Sequence, residues 1–342
     1  MQTTLRIYFM RKGLRMKEKN TAYIIANFGG PRTLDEIEPF LSSLLCDKDV
    51  LRTPLPQFLH SLLFRWIAKR RAPKVRPEYE HMGGGSPIYQ STEAVAERLK
   101  AKGYSPILTF HRYLPATHQD FIQQVTALKV DEIRVFPMFP QFTYATTGSI
   151  ARWFQKNLPK KTVSQLRWLK SYPSYPSFAA AYAALIREKV EGIGLKPEET
   201  ILLFSAHGIP RKFVDTGDVY TKECEDSFHA VMSHFPGYLG KLSYQSKFGP
   251  GEWVRPYTVD VCEEIQSWCE GRKHVVFVPI SFTSDHIETL CEIENDYMTV
   301  IREKGLEAHR VPALNLLPEW TEAIADLLEE DFLTSNQMLL YK

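Results

Sequence analysis

Two short stretches concentrate side chains able to move protons or hold ions. In Phe204-Ser205-Ala206-His207-Gly208-Ile209-Pro210 an apolar run ends on a histidine, followed at once by glycine and, two residues on, proline. The run reads as a buried strand, so His207 stands at its carboxyl end, where the backbone must turn. An imidazole there accepts a proton near neutral pH or ligates a metal; the plainer reading is a loop histidine hydrogen-bonded for structural reasons. In Ser284-Asp285-His286-Ile287-Glu288-Thr289-Leu290-Cys291-Glu292, helical spacing puts Asp285, Glu288 and Glu292 within about 60° of one another on one face, with His286 near its edge. Asp285 and Glu288 also fit a capping box, and acids in a first turn suit the helix dipole. Capping leaves Glu292 unexplained: as a like charge four residues from Glu288 it costs about 0.2–0.5 kcal/mol. A hard cation, or proton traffic, would offset that repulsion.

Two further stretches suit ligand contact. Met82-Gly83-Gly84-Gly85-Ser86-Pro87 opens a helix, whose free backbone N–H groups bind phosphate or carboxylate alike. The Lys-Ser/Thr ending of a phosphate-binding loop is missing. Leu55 to Ile67 (LPQFLHSLLFRWI) carries large apolar side chains over more than one helical stripe, and Lys69, Arg70 and Arg71 follow it. It reads either as a buried core helix or as an exposed apolar lip, with basic residues facing anionic head groups.

Apolar, β-branched runs alternate with longer amphipathic stretches. Strands are expected at 21–27, 106–110, 132–137, 163–169, 200–206, 241–245, 274–279 and 308–312. Helices are expected at 34–45, 56–69, 89–102, 117–129, 147–157, 176–192, 218–233, 258–269, 285–303 and 318–330. Near-continuous apolar strands such as Ile201–Phe204 suit a parallel sheet covered on both faces. An internal echo doubles the pattern: Val135-Phe136-Pro137 and Val276-Phe277-Val278-Pro279 each lead through a polar loop into a helix. The expected fold class is therefore α/β, with two similar Rossmann-like lobes, each a parallel sheet flanked by helices. Residues 20–165 form the first lobe, with the apolar lip. Residues 166–325 form the second, with the histidine and the acidic helix, and 326–342 form a C-terminal tail. SYPSYPS at 171–177 reads as the linker. Ligands of open α/β sheets bind beyond the carboxyl ends of strands, so the active-site cleft is expected between the lobes.

Composition excludes several other roles. With 342 residues, the chain can bury roughly three quarters of its unfolded surface and needs no staples. Its 42 basic against 40 acidic residues give no electrostatic case for nucleic acid. No run of about 18 apolar residues reads as a membrane span. Five cysteines without a C-x-x-C pair argue against a disulfide framework or zinc ribbon and suit a reducing cytoplasm. Residues 1–19 hold six basic residues and one acid but no secretory apolar core. They read as an extension, disordered or not native, with Met10 or Met16 as alternative starts.

In these motifs, in order from about residue 21 to 325, the chain resembles the ferrochelatase family, which inserts ferrous iron into a porphyrin. The resemblance runs through Asn27-Phe28-Gly29-Gly30-Pro31, IAKRRAPK at 67–74, GGGSPI at 83–88, Phe110-His111-Arg112-Tyr113 and ATTGS at 145–149. It continues through LFSAHGIP at 203–210, Gln245-Ser246-Lys247 with Gly249-Pro250, and VPISFTSDHIETLCEIENDY at 278–297. It implies that His207 and Glu288 are the catalytic pair facing each other across the cleft. It also implies that His207, Glu288 and Glu292 handle the metal, with Asp285 and His286 supporting them from behind. Phe28, Arg71, Ser86, Arg112 and Tyr113 match porphyrin-binding positions, and segment 55–71 matches a lip for peripheral membrane contact. Phe28 stands where some relatives carry Met or Tyr, and Phe cannot ligate. Where some relatives hold a [2Fe–2S] cluster this chain has Tyr144 at the first ligand position and no Cys after Cys291, so no cofactor is expected. The implied activity is Fe2+ insertion into protoporphyrin IX by a lyase of haem synthesis. The protein would be a cytoplasmic monomer, peripheral at the inner membrane face. A coproporphyrin ferrochelatase, a cobalt chelatase of a corrin-type tetrapyrrole and a non-catalytic haem or porphyrin carrier are the alternatives. A second carboxylate beside the first speaks against a mere carrier.

Overall fold

The apolar runs become nine strands among the described residues, 20–249, 251–332 and 334–340 of a computed structural model. They are β1 (Thr21–Asn27), β2 (Ile107–His111), β3 (Glu132–Pro137), β4 (Leu166–Trp168), β5 (Thr200–His207), β6 (Leu239–Gln245), β7 (His274–Val278), β8 (Glu307–Arg310) and β9 (Thr334–Ser335). One sheet runs β2-β1-β3-β4-β9 and the other β6-β5-β7-β8. Every pairing is parallel except β4 with β9. Leaving β9 aside, the two sheets share one winding order, so the internal echo reflects two lobes of the same α/β topology. In each, the chain steps from the first strand to one side and then returns to the other. That leaves a crevice at the carboxyl ends of β1 and β3, and a second at those of β5 and β7. β5 is buried over Thr200–Ala206, as a parallel strand covered on both faces must be.

The helices Pro176–Gly192 and Pro318–Leu328 pack together between the sheets. One apolar cluster joins Ile25, Val95 and Phe136 of the first lobe to Phe178, Tyr182, Leu202, Val276 and Trp320. Tyr182 donates its hydroxyl to the carbonyls of Pro279 (2.9 Å) and Phe282 (2.7 Å), so this shared core also holds the loop leading to Glu288.

Several expected boundaries move. Residues 163–169 divide into a short helix, Lys160–Gln165, and a three-residue strand, because Pro159 starts a helical turn ahead of β4. The expected helix 56–69 runs on as Gln57–His81 through Pro73 and Pro77, with Ala68 and Tyr79 buried along its length. Residues 171–177 are a packed joint rather than a loose linker: Tyr172 is buried and donates to the carbonyl of Pro137 at 3.0 Å. The segment read as a tail returns to the first lobe, where β9 extends its sheet and Leu339 is buried in its core. The extension 1–19 lies outside the described residues. Among those described, no helix is long and apolar enough to cross a membrane.

Candidate active site between the lobes

A cavity of about 540 Å³ opens where the two crevices face each other, within the range of small-molecule sites. Asn27 and Phe28 reach it from the end of β1, Met138 and Phe139 from beyond β3, His207 from the end of β5, and Glu288 from beyond β7. Its wall is largely apolar, with polar groups gathered around His207.

Backbone register fixes that histidine. His207 pairs with Gln245 of β6, and Gly208 donates its N–H to the Gln245 carbonyl at 2.8 Å. A Cβ on Gly208 would lie 2.7 Å from that carbonyl oxygen, so glycine lets the chain turn against its neighbour. The His207 N–H donates to Ser281 Oγ at 3.0 Å. The ring is thereby aimed at the loop following β7, and Nδ1 donates to Glu288 Oε2 at 2.8 Å. The pair stays open to the cavity, with 38% of the His207 side chain and 28% of Glu288 exposed.

Glu288 begins a π-helical segment, Glu288–Tyr297, which continues as the α-helix Met298–Glu303. An i→i+5 turn takes roughly 4.4 residues, so residues four apart nearly superpose. Glu288, Glu292 and Asp296 therefore share the cavity face. Asp285 leaves that face. Its carboxylate accepts from Thr289 Oγ1 (2.7 Å), Arg310 Nη1 (3.1 Å) and Asn315 Nδ2 (2.6 Å), anchoring the segment from behind. The expected capping box does not form: Thr289 takes Asp285, and Glu288 turns to His207. His286 lines the cavity with Nε2 3.8 Å from Glu288 Oε2.

Ser246 gathers the second carboxylate. It sits just past β6 in the left-handed region at φ 63°. Its N–H donates to Glu292 Oε1 at 2.9 Å, and its hydroxyl reaches Glu292 Oε2 (2.5 Å) and Glu288 Oε2 (3.2 Å). Gln245 Nε2 and Tyr297 Oη also donate to Glu292, at 3.1 and 2.6 Å. Strained backbone at a site of converging carboxylates is the kind of outlier that marks function.

Charge coupling sorts the protons. Burial alone would lower His207, but the Glu288 carboxylate, its hydrogen bond and the charge of Glu292 outweigh it and raise the imidazole above its ordinary value. Burial would raise Glu288, yet His207 and then His286 hold it well below the carboxylate range. Glu292 goes the other way: burial and the Glu288 charge push it up, and the hydrogen bonds from Ser246 and Tyr297 only partly offset them. Three groups in line thus span a proton acceptor, an ionised carboxylate and a carboxyl that retains its proton more readily.

Around this centre, Phe28, Arg71 and Ser86 line the cavity. Arg71 lies over the Phe248 ring at 4.5 Å, and Ser86 packs so closely that a Cβ on Gly30 would come within 2.7 Å of it. Arg112 and Tyr113 do not line it. Both turn to Asp47, at 2.6 and 2.9 Å, together with Ser149, and Tyr113 reaches the cavity only by supporting the Phe28 ring at 4.6 Å. The lip helix Gln57–His81 exposes Phe58, Leu62 and Trp66, which resolves the two readings of segment 55–67 in favour of an apolar surface.

The ferrochelatase family model matches residues 20–332. The chain belongs to the ferrochelatase family. A ferrochelatase of Chlamydia caviae is 46% identical over 90% of this chain and 95% of its own length. One of Chlamydia abortus is 44% identical over the same shares, and one of Chlamydia pneumoniae is 41% identical over 91% and 93%. The fold is also similar to that of SirB from Bacillus subtilis, a structure containing Fe3+, at TM-score 0.51 and 11% identity, covering 94% of this chain and all of that one.

Residue types and spacing mark His207 and the Glu288/Glu292 stripe separately, the family resemblance joins them, and the fold brings the three side chains together. Asp296 and Tyr297 are additional: helical spacing also carries the acidic stripe from Glu292 on to Asp296, while Tyr297 beside it has no charge to mark it. Ser246 and Gln245 carried no signal of chemistry of their own; only the β5–β6 register brings them beside the carboxylates.

Proposed function

We propose that this chain inserts Fe2+ into a porphyrin with release of two pyrrole protons, as a lyase of the metal-chelatase type. The observation that carries the reading is the His207–Glu288 pair on the wall of a largely apolar cleft of about 540 Å³, with Glu292 beside it. A free porphyrin is planar and its N–H protons block the centre, so insertion requires a bent ring, two proton acceptors and a dehydrated metal. Cleft walls that prefer the bent ring stabilise the transition state rather than the ground state. With Nδ1 engaged by Glu288, His207 offers Nε2 to a pyrrole N–H. It must first be neutral, and the raised Glu292 carboxyl is the next proton carrier toward Asp296 and the rim. The oxygens of Glu288 and Glu292 suit a hard divalent ion in transit. Arg71 and the Ser86 turn suit the propionates. Arg112 and Tyr113 act through Phe28 rather than by contact.

Several properties belong to the same proposal. Tyr144 in place of a cysteine, and no Cys after Cys291, support an enzyme without an iron–sulfur cluster. The exposed lip supports a cytoplasmic protein that touches the inner membrane face, and protoporphyrin IX as the substrate. A monomer is the simplest state. Anaerobic incubation with protoporphyrin or coproporphyrin and Fe2+, followed by visible spectroscopy, tests the reading. Metalloporphyrin bands should replace the free-base bands, faster with protoporphyrin. A carrier would shift the free-base bands without replacing them.

A further inference from the structure

A second group of ligating side chains lies at the opposite end of the second sheet. His274 opens β7 and stands beside Glu307, the first residue of β8; His309 follows on the same face of β8. His274 also pairs with Thr200, seven residues before His207 along β5, so the group is about 23 Å from the catalytic end at 3.3 Å per residue. One ligand atom from each residue lies within 4.8 Å of the others. His274 Nδ1 is 3.4 Å from Glu307 Oε2, and His309 Nε2 is 3.7 Å from the same oxygen. Tetrahedral Zn2+ bonds of about 2.0–2.2 Å place ligand atoms roughly 3.3–3.6 Å apart, so small rotations complete the set. Both ring nitrogens are buried and have no hydrogen-bond partner among the described residues, which is costly unless something else meets them.

We propose that His274, Glu307 and His309 bind a divalent transition-metal ion of the Zn2+ class, with water in the fourth position. Imidazole nitrogen with one carboxylate is a donor set suited to that class. The ion would clip the edge strand β8 to β7, at a site separate from the cleft through which the substrate metal passes.

Titration of the whole protein with Co2+ alone, following its visible d–d bands, tests this. The wild type should show a class of tetrahedral Co2+ that persists in the cleft variant Glu288→Gln/Glu292→Gln. His309→Ala should lose that class, one equivalent per chain, and with it the rise in melting temperature caused by Zn2+, while iron insertion keeps its wild-type kcat. Glu307→Gln, at a side chain 70% exposed and therefore safe for folding, should weaken the same class roughly 10-fold or more. Unchanged Co2+ binding in Glu307→Gln, or loss of the signal only in the cleft variant, overturns the proposal.

Discussion

At the residue scale, the contact between His207 Nδ1 and Glu288 would set the working pH of the proposed reaction. A base must be neutral to accept a proton, so insertion should rise with pH through the raised His207 value. Glu288→Gln removes the charge that raises it and leaves burial, which lowers it. The His207 resonance, followed by NMR, should then titrate at lower pH than in the wild type; an unmoved titration would mean the pair is not coupled. Glu292→Gln should raise the KM for Fe2+ several-fold and leave the KM for porphyrin unchanged, because the proposed metal path runs through its carboxylate. Equal changes in both constants would contradict that division. These three side chains were legible in the sequence because a histidine at a strand end and stacked acids are unusual patterns. The resemblance put Arg112 at the porphyrin, but no sequence pattern reveals that its guanidinium donates to Asp47 at 2.6 Å.

At the element scale, the π-helical turn and the lip helix shape the cleft. No local feature of Glu288–Tyr297 distinguishes its π-helical turn from an ordinary helix. Its conformation is imposed by Asp285, pinned by Arg310 and Asn315 on one side, and by Ser246 clamping Glu292 on the other. The lip helix was legible as apolar but not in its length. Phe58 and Leu62 are 70% and 69% exposed, so their replacement should cost little stability, within about 0.5 kcal/mol. Phe58→Ser/Leu62→Ser/Trp66→Ser should fold normally and lose most co-sedimentation with anionic vesicles. Wild-type sedimentation would remove the lip from the membrane account.

At the scale of the whole molecule, two lobes with one winding order place both of their crevices on a single cavity, and a shared core holds them there. The repeat of strand, proline and polar loop made the two lobes visible in advance. The return of the C-terminus was not visible, because β9 is two residues long and its partners are 166 and 168 residues away. Asn336 locks that return: it accepts from Trp168 Nε1 at 3.1 Å and donates to the Ala151 carbonyl at 3.0 Å. Asn336→Ala leaves the Trp168 indole N–H unpaired in the interior and should cost about 1–3 kcal/mol in urea unfolding. A loss within error would mean that the return is dispensable. His207, at the meeting point of the lobes, is the proposed acceptor of the porphyrin protons. Anaerobic Fe2+ insertion by His207→Ala, with porphyrin affinity measured alongside, tests this most directly: wild-type porphyrin binding and no metalloporphyrin bands are expected, and substantial turnover by that variant would rule the role out.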